Sequence, residues 1–369
     1  MSKIIIENHL FETEFLFEKD YFSNENSFVQ KILIFCRSWI EGKSSFTFYT
    51  SGSTGKPKSI EISKNQMLAS VKLTKNALRL TSQDVAFIGM NTDFIAGKMM
   101  LARSLEVGMD MYIFPPRANP LESFLNSNYH TQNLTFTALV PYQIDSIISH
   151  PQTLEKLQSF RNILVGGAPI SENLANKIRA NLPKVNVFHT YGMTETVSHI
   201  ALKSIHSDSD VYNVLEGISI EQDERNCLKI FGEVTQNQWI TTNDCVELID
   251  KTKFRWLGRL DNVINSGGIK LHLEEIEQKL EKLFTGLTWK RFFLYGKKDE
   301  KLGQKLILII EGKKTNWKQE ETLRQRIAQN LELYERPKEI FFVEKFIETD
   351  TQKIDRKKTF ESLMNDSMF

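Results

Sequence analysis

The sequence predicts an α/β fold. We expect a large N-terminal domain with a mostly parallel sheet covered by helices, followed by a small α+β domain. Three observations predict this. From about residue 46 to 190, short β-branched or aromatic runs alternate with segments of helical spacing. From 211 to 257, short apolar runs follow one another between polar breaks, which indicates a small antiparallel β-subdomain. The pattern changes again near residue 258, so the domains are predicted at 1–258 and 259–369.

The alternating region provides the strands and helices of the predicted parallel sheet. Helices are predicted between these strands, for instance at 65–80 and 171–182. Ligands of parallel sheets bind at the loops that follow the carboxyl ends of the strands, so those loops are where chemistry is sought. The predicted strands cover residues 46–50, 85–89, 111–114, 134–140, 162–167 and 185–191.

The C-terminal region has its own pattern of apolar residues. Leu273, Ile276, Leu280 and Leu283 fall on one helical face and predict a helix over 273–284. The apolar runs FFLY, LILII and IFFV predict strands, and a Lys/Glu-rich segment near 317–333 predicts a second helix. Together they indicate a compact α+β unit with its own core.

Composition and charge exclude several classes of protein. Of 369 residues, 41% are hydrophobic and 25% charged, which is typical of a globular chain. With 47 Lys plus Arg against 46 Asp plus Glu, no net field favours nucleic acid or an anionic membrane. No apolar run is long enough for a membrane span, and charges interrupt the amino terminus, so we expect a cytoplasmic protein without membrane insertion. Cys36, Cys227 and Cys245 lack paired spacing and predict reduced, buried thiols rather than a zinc site.

A loop rich in glycine, hydroxyl groups and lysine follows the strand at 46–50. Its glycines permit a tight turn that aims several backbone N–H groups at one point, and its lysines supply the charge that a polyphosphate needs. It differs from a Walker A loop, because a proline stands where that loop has a hydroxyl residue. The pattern predicts phosphate binding; a flexible surface loop is the alternative. The loop consists of Thr50, Ser51, Gly52, Ser53, Thr54, Gly55, Lys56, Pro57 and Lys58.

This loop resembles the phosphate loop of the adenylate-forming superfamily, which includes acyl-CoA synthetases, firefly luciferase and the adenylation domains of peptide synthetases. The family's other motifs follow in the same order over residues 46–357. Gly167, Ala168 and Pro169 resemble the segment that lies beside the adenine ring of ATP or AMP.

The segment from Tyr191 to Thr196 resembles the family's YGxTE motif. The resemblance implies that Tyr191 stacks on adenine, with Gly192 and Met193 beside it. It also implies that Thr194 bonds the α-phosphate and that Glu195 holds Mg²⁺. A hard cation of this kind prefers carboxylate and phosphate oxygens.

Three later motifs complete the series. Asp244 occupies the place of the aspartate that accepts hydrogen bonds from the ribose. In the next motif, the resemblance implies that Arg259 contacts the nucleotide, that Asp261 is the hinge of a mobile C-terminal lid, and that Gly267 and Gly268 border the channel for coenzyme A.

The third motif lies at the end of the chain, where Lys353 occupies the position of the family's catalytic lysine. It would bridge the substrate carboxylate and the nucleotide and stabilise charge in the transition state.

Two segments, HTYGMTETVSHIAL and WLGRLDNVINSGGIK, look most like o-succinylbenzoate–CoA ligases of menaquinone biosynthesis. The resemblance therefore implies adenylation of o-succinylbenzoate with ATP and Mg²⁺, and transfer of the acyl group to coenzyme A. Because this substrate is a keto-diacid, its non-reacting carboxylate needs a basic or polar anchor. The candidates are Lys98, Arg103, Ser198 and His199.

Several alternatives stay open at the level of sequence. The substrate could be another aryl or acyl acid, the acceptor could be a carrier protein, or the chain could be a nucleotide-binding module without turnover. Homo-oligomerisation also stays open. Only about 50 residues precede the phosphate loop, fewer than the family usually has, which leads us to expect a compact form of the ligase.

Overall fold

The computed structural model describes residues 2–17, 25–50, 58–289, 291–313, 317–348 and 354–366. The strands are β1 Lys3–Ile6, β2 His9–Glu12, β3 Ser45–Thr50, β4 Lys58–Ser63, β5 Val85–Ile88, β6 Asp110–Ile113, β7 Phe136–Leu139, β8 Asn162–Val165, β9 Asn186–Gly192, β10 His199–Ser204, β11 Tyr212–Val214, β12 Ser219–Gln222, β13 Cys227–Phe231, β14 Ile240–Asp250, β15 Lys253–Arg259, β16 Val263–Ser266, β17 Ile269–His272, β18 Phe292–Asp299, β19 Gly303–Glu311 and β20 Glu339–Val343. The helices are α1 Ser27–Ile40, α2 Lys64–Leu78, α3 Ile95–Val107, α4 Pro120–Leu125, α5 Pro141–Ile148, α6 Pro151–Gln158, α7 Glu172–Asn181, α8 Leu273–Leu283, α9 Trp317–Asn330 and α10 Arg356–Asp366.

A 13-stranded sheet forms the centre of the molecule, in the order β12-β13-β14-β15-β11-β10-β9-β8-β7-β5-β6-β1-β2. The strands from β9 to β1 in this order run parallel, as predicted. The antiparallel region is continuous with them, because β10 pairs with β9 and leads through β11 to β15. The predicted antiparallel strands therefore extend the main sheet.

The strand before the phosphate loop differs from the sequence-based expectation. β3 pairs antiparallel with β4, from Ser45 opposite Ser63 to Thr50 opposite Lys58, and the two strands form a separate two-stranded sheet. A connection this short permits a hairpin, whereas parallel neighbours need a long crossover. The connecting residues 51–57 lie outside the described part of the chain.

Helices cover both faces of the parallel strands. Side chains alternate along β5, so that Ala86 and Ile88 enter one core while Phe87 enters the other. Helices α1, α2 and α3 contribute to the first core, and α4 to α7 to the second. The predicted helices at 65–80 and 171–182 correspond to α2 and α7. Within the described residues, no helix is both long and apolar enough to cross a membrane.

The C-terminal residues form a five-stranded sheet of β16 to β20. Helices α8 and α9 pack on one face and α10 on the other. The helix predicted at 273–284 is α8, and Leu273, Ile276, Leu280 and Leu283 are all buried in this core, as their spacing predicted. β15, of the large sheet, ends at Arg259, next to the predicted domain boundary. The division into domains at residue 258 stays a prediction.

All three cysteines are buried, as expected, and none of them forms a disulfide. Cys227 and Cys245 lie directly opposite each other on β13 and β14.

Candidate active site

Two neighbouring parallel strands, β8 and β9, lead into two of the predicted motifs. They place the segment 167–169, expected beside the adenine ring, next to the segment 191–196, which resembles the YGxTE motif. Gly166 follows β8, and a Cβ atom there would lie 2.1 Å from the hydroxyl of Thr190 on β9. Gly167 has a φ of +82°, a left-handed conformation that favours glycine. The chain can therefore turn sharply at Ala168 while staying against β9.

His189 fixes the position of this turn. Its Nε2 lies 3.2 Å from the carbonyl oxygen of Ala168, and its Nδ1 lies 2.8 Å from the hydroxyl of Tyr212. A carbonyl only accepts, so Nε2 donates and Nδ1 accepts from Tyr212. Burial, aided by the charge of Lys203, lowers the pKa of His189 to about 4, so the ring is neutral. His189 is thus structural, and Tyr212 is a supporting residue that the motifs did not indicate.

The turn after β9 is held by its own side chains. A Cβ atom on Gly192 would lie 2.2 Å from the carbonyl oxygen of Ser198. Thr196 lies within hydrogen-bond distance of that same oxygen, at 2.8 Å, and accepts a bond from the Met193 amide at 3.1 Å. Val197 has a φ of +66°, which is strained for a β-branched residue and typical of functional sites.

This turn exposes the residue expected to hold magnesium. Glu195 lies in the short 3-10 helix Thr194–Thr196 and is exposed. No group of three or more potential metal ligands occurs among the described residues. Mg²⁺ is usually bound by one or two carboxylates together with substrate phosphates, so a single free carboxylate of this kind fits such an ion.

Asp244 lies at the centre of a second hydrogen-bonded group. Its carboxylate accepts a bond of 2.8 Å from the hydroxyl of Tyr191 and one of 3.3 Å from the indole N–H of Trp256. The ring of Tyr191 packs edge-on against Tyr212 and Phe254. Burial and the charge of Asp244 raise the pKa of Tyr191 well above its usual range, so its hydroxyl stays protonated. The carboxylate is thereby fixed in direction.

Arg259 lies beside this group at the end of β15. Its guanidinium is 4.0 Å from the carboxylate of Asp244 and 3.0 Å from that of Asp261. The expected nucleotide contact and the expected hinge residue are thus paired with each other. Gly267 and Gly268 both have positive φ and form the exposed turn between β16 and β17.

Arg103 is buried, with 2% of its surface exposed. Its Nε donates to the hydroxyl of Thr74 at 3.1 Å and its Nη2 to the hydroxyl of Ser198 at 2.7 Å. His199 contacts the same two hydroxyls, through Nε2 at 3.1 Å and Nδ1 at 3.3 Å. No carboxylate among the described residues pairs with Arg103. Burial lowers its pKa only to about 10, so the guanidinium stays charged at neutral pH.

The structure therefore brings three of the four acid-anchor candidates together and leaves the fourth apart. Arg103, Ser198 and His199 share one cluster, which also contains Thr74, a residue that sequence reasoning missed. Lys98 lies instead over the ring of Phe48, at 5.2 Å. The candidates Ser51, Gly52, Ser53, Thr54, Gly55, Lys56 and Lys353 lie outside the described residues, and so do the side chains of Thr50 and Lys58.

Comparisons with known proteins show which family the chain belongs to. The family described as AMP-binding enzyme matches residues 38–220. An acyl-CoA synthetase (AMP-forming)/AMP-acid ligase II-like protein from Dyadobacter fermentans is 38% identical to this chain in sequence. Its crystal structure superposes on the fold described above with a TM-score of 0.61. The similarity covers 92% of this chain and 95% of that one. The chain belongs to the AMP-binding enzyme family.

Two further relatives differ in how much of their length this AMP-binding enzyme covers. The 2-succinylbenzoate–CoA ligase of Enterococcus faecalis is 26% identical over 343 residues, which are 83% of this chain and 67% of the ligase. A plipastatin synthase protein of Bacillus subtilis is 25% identical over 173 residues, which are 46% of this chain and only 7% of the synthase protein. The chain thus spans about two thirds of the ligase and a small part of the plipastatin synthase protein.

The contact of Trp256 with Asp244 gives a first testable prediction for this AMP-binding enzyme. Replacing Trp256 with Phe keeps an aromatic ring but removes the N–H donor, so the Asp244 carboxylate becomes less firmly oriented. We expect the KM for ATP to rise about threefold to tenfold, with a smaller change in kcat, because a less firmly oriented carboxylate should weaken binding by about 1 kcal/mol, the size of one ordinary hydrogen bond. W239F is the matched control, since Trp239 is exposed and packs against Phe231. An unchanged KM for ATP in W256F would contradict this role.

Proposed function

We propose that this chain is an ATP-dependent acid–CoA ligase. It adenylates a carboxylic acid, with release of pyrophosphate, and then transfers the acyl group to coenzyme A, with release of AMP. The family assignment supports the reaction class, and the fixed Asp244 carboxylate beside Tyr191 supports binding of a ribose. Since ATP and coenzyme A are cytoplasmic metabolites, we propose that the enzyme works in the cytoplasm.

The observation that carries the substrate proposal is the buried charge of Arg103. A charge removed from water is costly unless it is paired, and no described carboxylate pairs with this one. A second carboxylate on the substrate would supply the missing partner. We therefore propose a dicarboxylic substrate, and among these 2-succinylbenzoate, the acid named for the Enterococcus faecalis relative.

The proposed mechanism requires positioning and charge neutralisation and no nucleophilic side chain. Asp244 accepts hydrogen bonds from the ribose, while Lys56 and the other loop residues 50–58 bind the phosphates. Thr194 bonds the α-phosphate and Glu195 holds Mg²⁺, which neutralises phosphate charge when bound. Lys353 draws together the substrate carboxylate and the α-phosphate.

A carrier protein is the second candidate acceptor of the acyl group. The resemblance to the adenylation domains of peptide synthetases, together with the similarity to the plipastatin synthase protein, supports this candidate. The two acceptors differ in one readily measured way, because only free coenzyme A would give a low-molecular-weight thioester.

A panel of acids tests the proposal. Pyrophosphate release with ATP and Mg²⁺ should be fastest with 2-succinylbenzoate, and AMP and a coenzyme A thioester should form when coenzyme A is added. Two analogues, 3-benzoylpropionate and 2-butanoylbenzoate, each lack one of its carboxylates and should be much poorer substrates. No release with any acid would contradict adenylation. Release only with monocarboxylic acids would contradict the diacid alone.

A further inference from the structure

The cluster around Arg103 forms a closed ring of hydrogen bonds. Arg103 reaches the hydroxyls of Thr74 and Ser198 from α3, and His199 reaches the same two hydroxyls from the start of β10. Thr74 and His199 are buried, whereas Ser198 is partly exposed. The ring therefore joins a closed interior side to an accessible one.

The donors and acceptors of this ring allow few arrangements. A guanidinium only donates, so both hydroxyl oxygens accept from Arg103. Each hydroxyl then has a single hydrogen to donate, and a neutral imidazole has one N–H and one bare nitrogen. Burial, with the nearby charge of Arg103, lowers the pKa of His199 well below its usual range, so its imidazole is neutral.

Two arrangements give both imidazole nitrogens a partner. In the first, Thr74 donates to the carbonyl oxygen of Ser70 at 3.1 Å, His199 donates from Nε2 to Thr74, and Ser198 donates to Nδ1. In the second, Thr74 donates to Nε2, and Nδ1 donates to Ser198. Only the second leaves the hydroxyl hydrogen of Ser198 free for another acceptor.

We propose that Thr74 and His199 are positioning residues that turn the Ser198 hydroxyl hydrogen towards a bound carboxylate by a change of the His199 tautomer. In the free protein the first arrangement is favoured, because both hydroxyl hydrogens then have a protein acceptor, the Ser70 carbonyl oxygen for Thr74 and Nδ1 for Ser198. A carboxylate at Arg103 only accepts hydrogen bonds, so it favours the second. Nδ1 gains a proton from water through the partly exposed Ser198 hydroxyl, and the Nε2 proton is lost to solvent during a brief local opening of the cluster, so no net charge changes. The inference rests on the proposed function, since the carboxylate is that of the diacid.

Nitrogen chemical shifts of the imidazole report the tautomer directly. In the full chain with ¹⁵N-labelled histidine, H199Q identifies the His199 signals by their loss. We expect a bare Nδ1 in the free protein, and a protonated Nδ1 after saturation with 2-succinylbenzoate in the absence of ATP. The analogues with one carboxylate should produce the change less completely. An unchanged tautomer in the saturated complex, or a doubly protonated ring, would overturn the proposal.

Variants of the free protein test the coupling without any substrate. In T74V the Nε2–H would be buried without an acceptor, so the proton should move to Nδ1 and bond Ser198. T74S restores the hydroxyl and should restore the wild-type tautomer, whereas S198A should keep the proton on Nε2. A T74V protein with the wild-type tautomer would overturn the coupling even if adenylation occurs. The expected T74V shift with no adenylation of any acid would contradict the proposed function instead.

Discussion

Replacing Lys353 with Ala should lower the rate of adenylate formation by on the order of 10²–10³-fold. The family resemblance places this lysine between the substrate carboxylate and the nucleotide, where its charge would draw two anions together in the first half-reaction. Thioester formation from preformed acyl-adenylate should keep nearly its full rate, because the proposed lid has by then removed the lysine from the site. The two rates can be measured separately by pyrophosphate release and by AMP release from added adenylate.

Lysines of the following helix provide the control for this prediction. Lys357 lies on α10, and its side chain is 78% exposed, so K357A removes a positive charge of the same region without touching the proposed site. It should leave both half-reactions unchanged. Equal loss of both half-reactions in K353A would contradict a lid that uses the lysine in one step only.

The sequence predicted the layers of the fold well because they depend on local patterns. The alternation of strands and helices predicted the parallel part of the large sheet. The helical spacing of Leu273, Ile276 and Leu280 predicted α8. The prediction that β3 belongs to the parallel sheet was wrong. Its alternating apolar residues fit a strand of a hairpin as well as a strand of a parallel sheet. Only its pairing with β4, which sequence patterns do not report, distinguishes the two.

The motifs identified the residues expected to touch the nucleotide, but not those that hold them. Trp256 bonds Asp244 across neighbouring strands, and Tyr212 bonds His189 from another strand. Thr74 meets His199 although 125 positions separate them in the chain. Such contacts arise from tertiary packing and leave no local signal. The burial of Arg103 belongs to the same class, since an arginine on a helix is more often solvated.

The second large effect is expected from replacing Arg103 with Met, which has a similar unbranched shape and no charge. If Arg103 pairs with the non-reacting carboxylate of the diacid, that carboxylate loses its partner in R103M. Truncating one member of a buried ion pair typically costs about 2–5 kcal/mol, so kcat/KM for 2-succinylbenzoate should fall on the order of 10²–10³-fold. Because the wild-type charge has no described counterion, its removal should not unfold the protein.

The specificity of this loss is what separates a substrate anchor from a structural residue. Of the two analogues with one carboxylate, consider the one that keeps the carboxylate to be adenylated. It should react equally slowly with wild type and R103M, because it has no second carboxylate with which Arg103 could pair. K98M is the matched control, because Lys98 lies on the same helix but over Phe48, outside the Arg103 cluster. A parallel fall in kcat/KM for the diacid and for this analogue would mean that R103M damages the site generally. In that case Arg103 supports the fold of α3 against β10 and does not select the acid.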